Sequence, residues 1–306
     1  MPKNTFRREK CAPKPRGTQR LKFTCYRPND LQLLKESWNK ANPNNPIRTT
    51  KLHGIWQELR TKNGACNRES CWLKENKAMY DRIFAPKMPK SWKKNINEWL
   101  SSDEILQVMT QYEKMFPEFE FLGPSPTDYF VKEYGNTCVW PELCKFNLAS
   151  WIKRGKTKIG VVFNLDPHYK SGSHWVALFI NTLARRIYYF DSTGARIHKH
   201  IAKFRKEVQD QALAQLGQTY EIDSNYGVEH QYHNTECGMY VLFFIITMLM
   251  HDEDHPSPQT SLEIGQKVKK TVSGGGYHFF EKTFKNKRLK FPDKLMERLR
   301  REYFNE

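Results

Sequence analysis

The stretch Met239–Met250 is apolar at every position except for the hydroxyls of Tyr240 and Thr247. Such a segment falls well short of the roughly 20 residues needed to cross a bilayer. A helix that is apolar all round must then be covered by the rest of a folded domain. The run therefore reads as a core helix around which a domain is built. With 306 residues the chain can form one catalytic-sized domain plus an appended segment. Aromatic residues make up 13% and are spread along most of the chain, which fits a packed core and not a disordered protein.

Around that helix the pattern predicts an α+β domain. Ile159–Asn164, Trp175–Ile180 and Ile187–Phe190 read as strands, with Asn181–Arg186 as a polar turn between the last two. Ser101 or Ser102 caps a predicted helix over Glu104–Phe116, and Ile201–Leu216 is an amphipathic helix. Leu122–Thr127, rich in Pro and Gly, reads as a loop, and a short strand is expected before Gln231. Residues 1–92 form a basic, partly helical N-terminal extension expected to pack on the core. Its first 28 or so residues read as a flexible arm, and helical spacing appears at Asp30–Lys40 and Leu52–Leu59. Residues 93–306 form the main domain, closing with a polar linker at Asp252–Thr260 and a basic helical tail.

The residues just ahead of the core helix carry chemistry. Cys237 sits at its start, where unpaired N–H groups and the positive end of the helix dipole favour a thiolate. The imidazole it needs is available in His174, at the beginning of a predicted strand. Asp191 ends the following strand, so a hairpin would bring it beside His174 to fix the ring's tautomer. Gln231 can supply an amide donor to an oxyanion, together with the Cys237 backbone N–H. Gly238 lets backbone approach a substrate closely. Singly, these are a core cysteine, a surface histidine and a turn aspartate; their joint order makes that reading improbable.

His174-Trp175, then Asp191-Ser192, then Gln231 followed six residues later by Cys237-Gly238 resembles the Ulp/SENP-type cysteine proteases and the adenovirus proteinase, clan CE. Trp99-Leu100 resembles the start of that family's Trp-Leu-x-Asp motif, although the acid, Asp103, comes one residue late. The resemblance covers roughly residues 97–250. It implies a papain-like, adenain-like α+β core and hydrolysis after Gly-Gly, with Trp99 and Trp175 as the tryptophans that cover the diglycine. Asn164 is expected to shape the cleft. Phe163-Asn164-Leu165-Asp166-Pro167 and Phe121-Leu122-Gly123-Pro124 resemble the versions in large cytoplasmic DNA viruses, such as the African swine fever virus polyprotein protease. That branch implies cleavage of virion precursor proteins at Gly-Gly-Xaa during maturation, in the host cytoplasm (viral factory) and the virion. The alternatives are a protease acting on SUMO- or ubiquitin-like modifiers, and a non-enzymatic nucleic-acid or capsid-binding module.

The net charge of +17, concentrated at both ends of the chain, suits a solvated face or contact with nucleic acid or virion core components. The chemistry requires no cofactor; stimulation by DNA, as in the adenovirus proteinase, is a further expectation. The N-terminus shows no apolar signal segment, so synthesis in the cytosol is expected, with no membrane span. The seven cysteines, irregularly spaced, are then expected to be mostly reduced. Zinc is a weak rival: His230, His233 and Cys237 are close in sequence, and Cys66/Cys71 and Cys138/Cys144 form loose pairs, but no set has the usual spacing. His233 is a second candidate base, without a carboxylate partner. Ser273-Gly274-Gly275-Gly276-Tyr277 offers a Gly-Gly-Xaa site for self-cleavage, though a hinge is the simpler reading.

Overall fold

A computed structural model describes residues 6–14, 20–74, 76–250 and 276–306. The Asp252–Thr260 linker and the glycines up to Gly275 lie outside the described residues. The chain divides into two compact units, Met1–Pro89 with Arg301–Glu306, and Lys90–Arg300. The last six residues group with the N-terminal unit.

The first unit contains α1 (Pro28–Ala41), α2 (Leu52–Lys62) and α3 (Lys77–Ile83). Pro28 opens α1, where its missing N–H costs nothing. Tyr26, Leu31, Ile55, Leu59, Trp72 and Phe84 form a core of its own. Among its described residues, the expected flexible arm is instead built into that core: Ala12 and Tyr26 are buried, and Cys11 bridges to Phe84. Asn305 completes the unit, its amide donating to the carbonyls of Lys10 and Ala85 at 2.9 and 3.0 Å.

The expectation of mostly reduced cysteines is also overturned. Cys11–Cys25, Cys66–Cys71 and Cys138–Cys144 are paired, with Cα separations of 5.3, 6.0 and 6.3 Å, inside the range a bridge can span. Local turns bring each pair together, which irregular spacing along the chain does not reveal. Cys237 remains the free thiol among the described residues.

The second unit begins with α4 (Ser102–Met115), closed at its N-terminus by a capping box between Ser101 and Glu104. There follow β1 (Phe119–Pro126), α5 (Pro141–Cys144), α6 (Leu148–Lys153), β2 (Lys158–Asn164), β3 (Trp175–Asn181), β4 (Arg186–Phe190), α7 (Lys199–Leu216), β5 (Glu221–Ser224), α8 (Cys237–Met250), α9 (Gly276–Lys282) and α10 (Asp293–Tyr303). The five strands form one sheet in the order β1-β2-β3-β4-β5. The two outer pairings are parallel and the two inner ones antiparallel.

Both faces of the central strands are buried, which explains their nearly unbroken apolar sequence. Alternation sends Ile159, Val161, Leu178 and Ile180 toward Phe204 and Val208 of α7. The opposite face receives α8: Phe190 stacks on Phe244 at 4.9 Å. Every residue from Cys237 to Leu249 is buried, as the sequence of this helix requires. Among the described residues no helix is long and apolar enough to cross a membrane.

Two local expectations are corrected. The Gly-Pro stretch Leu122–Thr127 is mostly strand: β1 runs beside β2, with pairing interrupted between Leu122 and Ser125. An edge strand tolerates proline, because the missing N–H faces away from the sheet or falls in the interruption. The basic tail is helical but not a solvated appendage, since Phe280, Phe284, Met296 and even Arg300 are fully buried.

Candidate active site

The antiparallel register of β3 and β4, with Ala177 opposite Phe190, puts the residue before β3 and the residue after β4 at the same end of the hairpin. Those residues are His174 and Asp191, and His174 Nε2 lies 2.8 Å from Asp191 Oδ1. The Asp191 carboxylate also accepts the backbone N–H and the hydroxyl of Thr193, at 2.9 and 2.8 Å. A fully buried Asn225 holds the backbone of the same residue on both sides: its Oδ1 accepts the Asp191 N–H at 2.9 Å, and its Nδ2 donates to the Asp191 carbonyl at 2.6 Å. Nothing in the sequence singled out Asn225 or Thr193. The one available signal was a polar residue in the turn-like run Asp223–Gly227 after a strand.

Electrostatics follow from this geometry. Burial opposes charge on His174, but the hydrogen bond to Asp191, a second to Cys237 and the negative charge of both outweigh it and push the imidazole up to about 10. For Asp191, burial raises the carboxyl, yet His174 and the two Thr193 donors prevail and hold it below the usual carboxylate range. The ring is thus positively charged at neutral pH, with Asp191 on one nitrogen and Cys237 within its field.

Cys237 is the first residue of α8 and only 1% exposed. Gly238 has a different structural reason from the one expected of it. A Cβ there would lie 2.7 Å from the Leu100 Cβ and 3.4 Å from Trp175 Cδ1, so the missing side chain makes room for the protein's own Leu100. Trp175 is buried, with its indole N–H donating to the Leu100 carbonyl at 2.9 Å, whereas Trp99 is 41% exposed. Gln231 is buried and its carboxamide fixed: Ser192 Oγ donates to Oε1 at 2.6 Å, and Nε2 donates to the His233 carbonyl. Asn164, at the end of β2, accepts the N–H groups of Asp166 and Ser173 at 3.0 and 3.2 Å, shaping the loop that leads to His174.

His230 and the two cysteine pairs considered for zinc are otherwise engaged. His230 is buried with both ring nitrogens occupied, by the Phe284 carbonyl at 2.9 Å and the Phe291 N–H at 3.3 Å. Both cysteine pairs are disulfides. No cluster suited to a metal ion occurs among the described residues. It is His174, and not His233, that carries the carboxylate partner.

A thiol at a helix start, an imidazole beside it and a carboxylate behind the imidazole define the cysteine-peptidase class of site. Residues 147–272 match the family model of the Ulp1 protease family, C-terminal catalytic domain. The chain is 31% identical over 159 residues to R355 of Acanthamoeba polyphaga mimivirus, a protein provisionally named a thiol protease, covering 50% of this chain and 48% of that one. It is 32% identical over 96 residues to the SUMO-1 cysteine protease S273R of African swine fever virus, covering 31% and 35%. The matches thus span about half of the first of these relatives and about a third of the second. The crystal structure of the African swine fever virus pS273R protease shares the fold, with a TM-score of 0.60 at 18% identity over 97% of this chain and 95% of that one. Over residues 147–272 the chain is thus similar to the Ulp1-type cysteine proteases, and the relatives named here are viral.

Proposed function

We propose that the protein is a thiol endopeptidase that cleaves after Gly-Gly in viral structural precursors. The observation that carries the peptidase reading is the free, buried Cys237 at the start of α8, next to an imidazole paired with Asp191 at 2.8 Å. In this reading the Cys237 thiolate attacks the carbonyl carbon of the second glycine, forming a C–S bond and an oxyanion. The Cys237 N–H lies in the first helical turn, where backbone donors have no intrahelical acceptor. Gln231 Nε2 carries two hydrogens; one goes to the His233 carbonyl, and the other is the donor assigned to the oxyanion. As the C–N bond breaks, the His174 imidazolium gives its proton to the departing amine. Neutral His174 then takes a proton from water, whose hydroxide attacks the thioester, and Cys237 leaves again as the thiolate. Asp191 stays ionised throughout and fixes the ring.

The preference for Gly-Gly is supported by how little room surrounds the thiol. With Cys237 nearly covered and Leu100 and Trp175 against Gly238, a chain without Cβ atoms is the one that reaches it most easily. Virion precursors as substrates, action in the viral factory and virion, and stimulation by DNA through the basic surface belong to this proposal. A second reading, cleavage of a ubiquitin-like modifier, is favoured by the name of the African swine fever virus relative, a SUMO-1 cysteine protease.

The deciding experiment is mass-spectrometric cleavage of Gly-Gly-Xaa peptides beside a ubiquitin-like fusion, with wild type and Cys237→Ala in parallel. Cleavage of short peptides, lost in Cys237→Ala, is the expected result. Cleavage of the folded fusion alone moves the assignment to a modifier protease, and a DNA titration at low salt tests stimulation.

A further inference from the structure

The segment from His230 to Glu236, which ends at the nucleophile, contains no helix or strand. It still has a defined conformation, and much of what fixes it comes from far along the chain. Asp293, the first residue of α10, accepts the backbone N–H groups of Tyr232 and His233 on Oδ2, at 3.2 and 2.8 Å. The Tyr240 hydroxyl lies 3.0 Å from Asp293 Oδ1 and 2.6 Å from the Phe291 carbonyl. Arg300, seven positions further along α10 and so on the same face, reaches the other end of the segment. Its Nε donates to Glu236 Oε2 at 2.9 Å, and a terminal nitrogen approaches the Thr235 carbonyl at 3.4 Å. Both members of this ion pair are almost wholly buried, and the guanidinium lies 4.7 Å from the Trp92 ring centre.

Glu236 immediately precedes Cys237, and its carbonyl accepts the Tyr240 N–H at 3.0 Å, closing the first turn of α8. One helix therefore holds the segment just after Gln231 and again just before Cys237. Burying an ion pair costs desolvation that apolar packing would avoid; what this pair supplies is one fixed position for Glu236. A carboxylate accepting two backbone N–H groups is likewise a strong and directional tie. Residues 293 and 300 lie beyond the 147–272 stretch that matches the protease family.

We infer that Asp293 and Arg300 are positioning residues for the chemistry: α10 sets the backbone of Gln231–Cys237 so that the amide of Gln231 and the N–H of Cys237 converge on the oxyanion. The inference rests on the peptidase reading above. It separates two properties of the site. Forming the thiolate needs His174 and Asp191, whereas holding the oxyanion needs the segment that α10 braces.

The test uses the full chain with Asp293→Ala, Asp293→Asn and the paired change Glu236→Gln with Arg300→Met. Turnover of a substrate that wild type cleaves is measured beside alkylation of Cys237 by iodoacetamide, which expels iodide and builds no oxyanion. Asp293→Ala is expected to lower kcat by roughly tenfold or more with KM little changed. The alkylation rate should stay at the wild-type level while the amides of Tyr232 and His233 exchange faster with deuterium. Asp293→Asn, which keeps an acceptor oxygen, should recover part of the kcat. Should Asp293→Ala not fold, the other two variants carry the same comparison. Equal losses in turnover and alkylation, or faster exchange with unchanged kcat, would overturn the inference. If wild type cleaves no peptide or fusion, the peptidase reading falls; unchanged exchange at Tyr232 and His233 in the variants would then overturn the bracing as well.

Discussion

The two halves of the site are held by different means. His174 and Asp191 sit at the ends of paired strands, so their approach is fixed by the backbone register of β3 and β4. Gln231 and Cys237 bound a segment without regular structure; the backbone N–H groups of His230 and Gln231 reach the Ser192 carbonyl at its start, and the rest is fixed by side chains: Ser192 on the Gln231 amide, Asp293 on two backbone N–H groups, Arg300 on Glu236. Register survives most single substitutions, because many backbone bonds share it. A segment tied by a few polar side chains depends on each of them. The acid–base half should therefore keep its geometry and lose its chemistry on mutation, and the oxyanion half should lose its geometry.

The largest effect should come from Cys237→Ala, which removes the proposed nucleophile and should lower kcat by about a million-fold or to background, read by mass spectrometry of products. Asp191→Asn should leave the fold intact and lower kcat by about 10⁴. Removing that charge also takes away a cause of the raised His174 imidazole, so the alkaline limb of the activity profile, expected near pH 10, should move to lower pH. His174 also links stability to pH. Its folded value lies above the unfolded one of about 6.5, so its contribution is complete below that pH and fades as pH rises through about 10. Thermal unfolding of wild type and His174→Ala should converge on going from pH 6 to above 10.

On the other half, Gln231→Ala should cost about 3 kcal/mol of transition-state stabilisation, a loss of 10²–10³ in kcat. Alkylation of Cys237 should be spared, and equal loss of both would erase the contrast between the halves. The smallest of these effects concerns Asn225→Ala, which strands a buried N–H and carbonyl of Asp191. It should lower stability by about 1–3 kcal/mol in urea unfolding, with a modest change in kcat as long as the β3–β4 register holds.

The same contrast explains what could be read from the sequence. Strand and helix periodicity marked β2, β3, β4, α4 and α7, and two short runs with a polar turn between them were enough to place His174 beside Asp191. The almost wholly apolar Met239–Met250 announced a buried helix with Cys237 at its mouth. What stayed hidden depends on contacts across long stretches of chain. Asp293 looked like one more acid near a charged terminus, and Arg300 like one more cation in a basic tail, because nothing local marks a residue whose partner lies some 60 positions away. Spacing marked Cys66/Cys71 and Cys138/Cys144 as loose pairs, but not that they are bonded, and the Cys11–Cys25 pair escaped altogether, because spacing does not show how the chain folds back. β1 was masked by Gly123 and Pro124, which read as a turn until the sheet edge shows that they are tolerated there.

The contact between Gly238 and Leu100 also restricts how this site can change over time. The atom that a side chain at 238 would strike is the Leu100 Cβ, 2.7 Å away, and every residue except glycine has that atom. Trimming Leu100 to alanine, the usual first step toward a roomier pocket, therefore makes no space for a residue at 238. The two positions exclude one another: a lineage keeping this backbone can place a side chain at one only after the other is glycine. Because Leu100 also accepts the Trp175 indole and follows Trp99 directly, a glycine there would free the backbone that sets both tryptophans. Widening the approach to the thiol thus passes through an intermediate with a loosened site, and descent is expected to preserve the narrow approach while the surfaces around it vary.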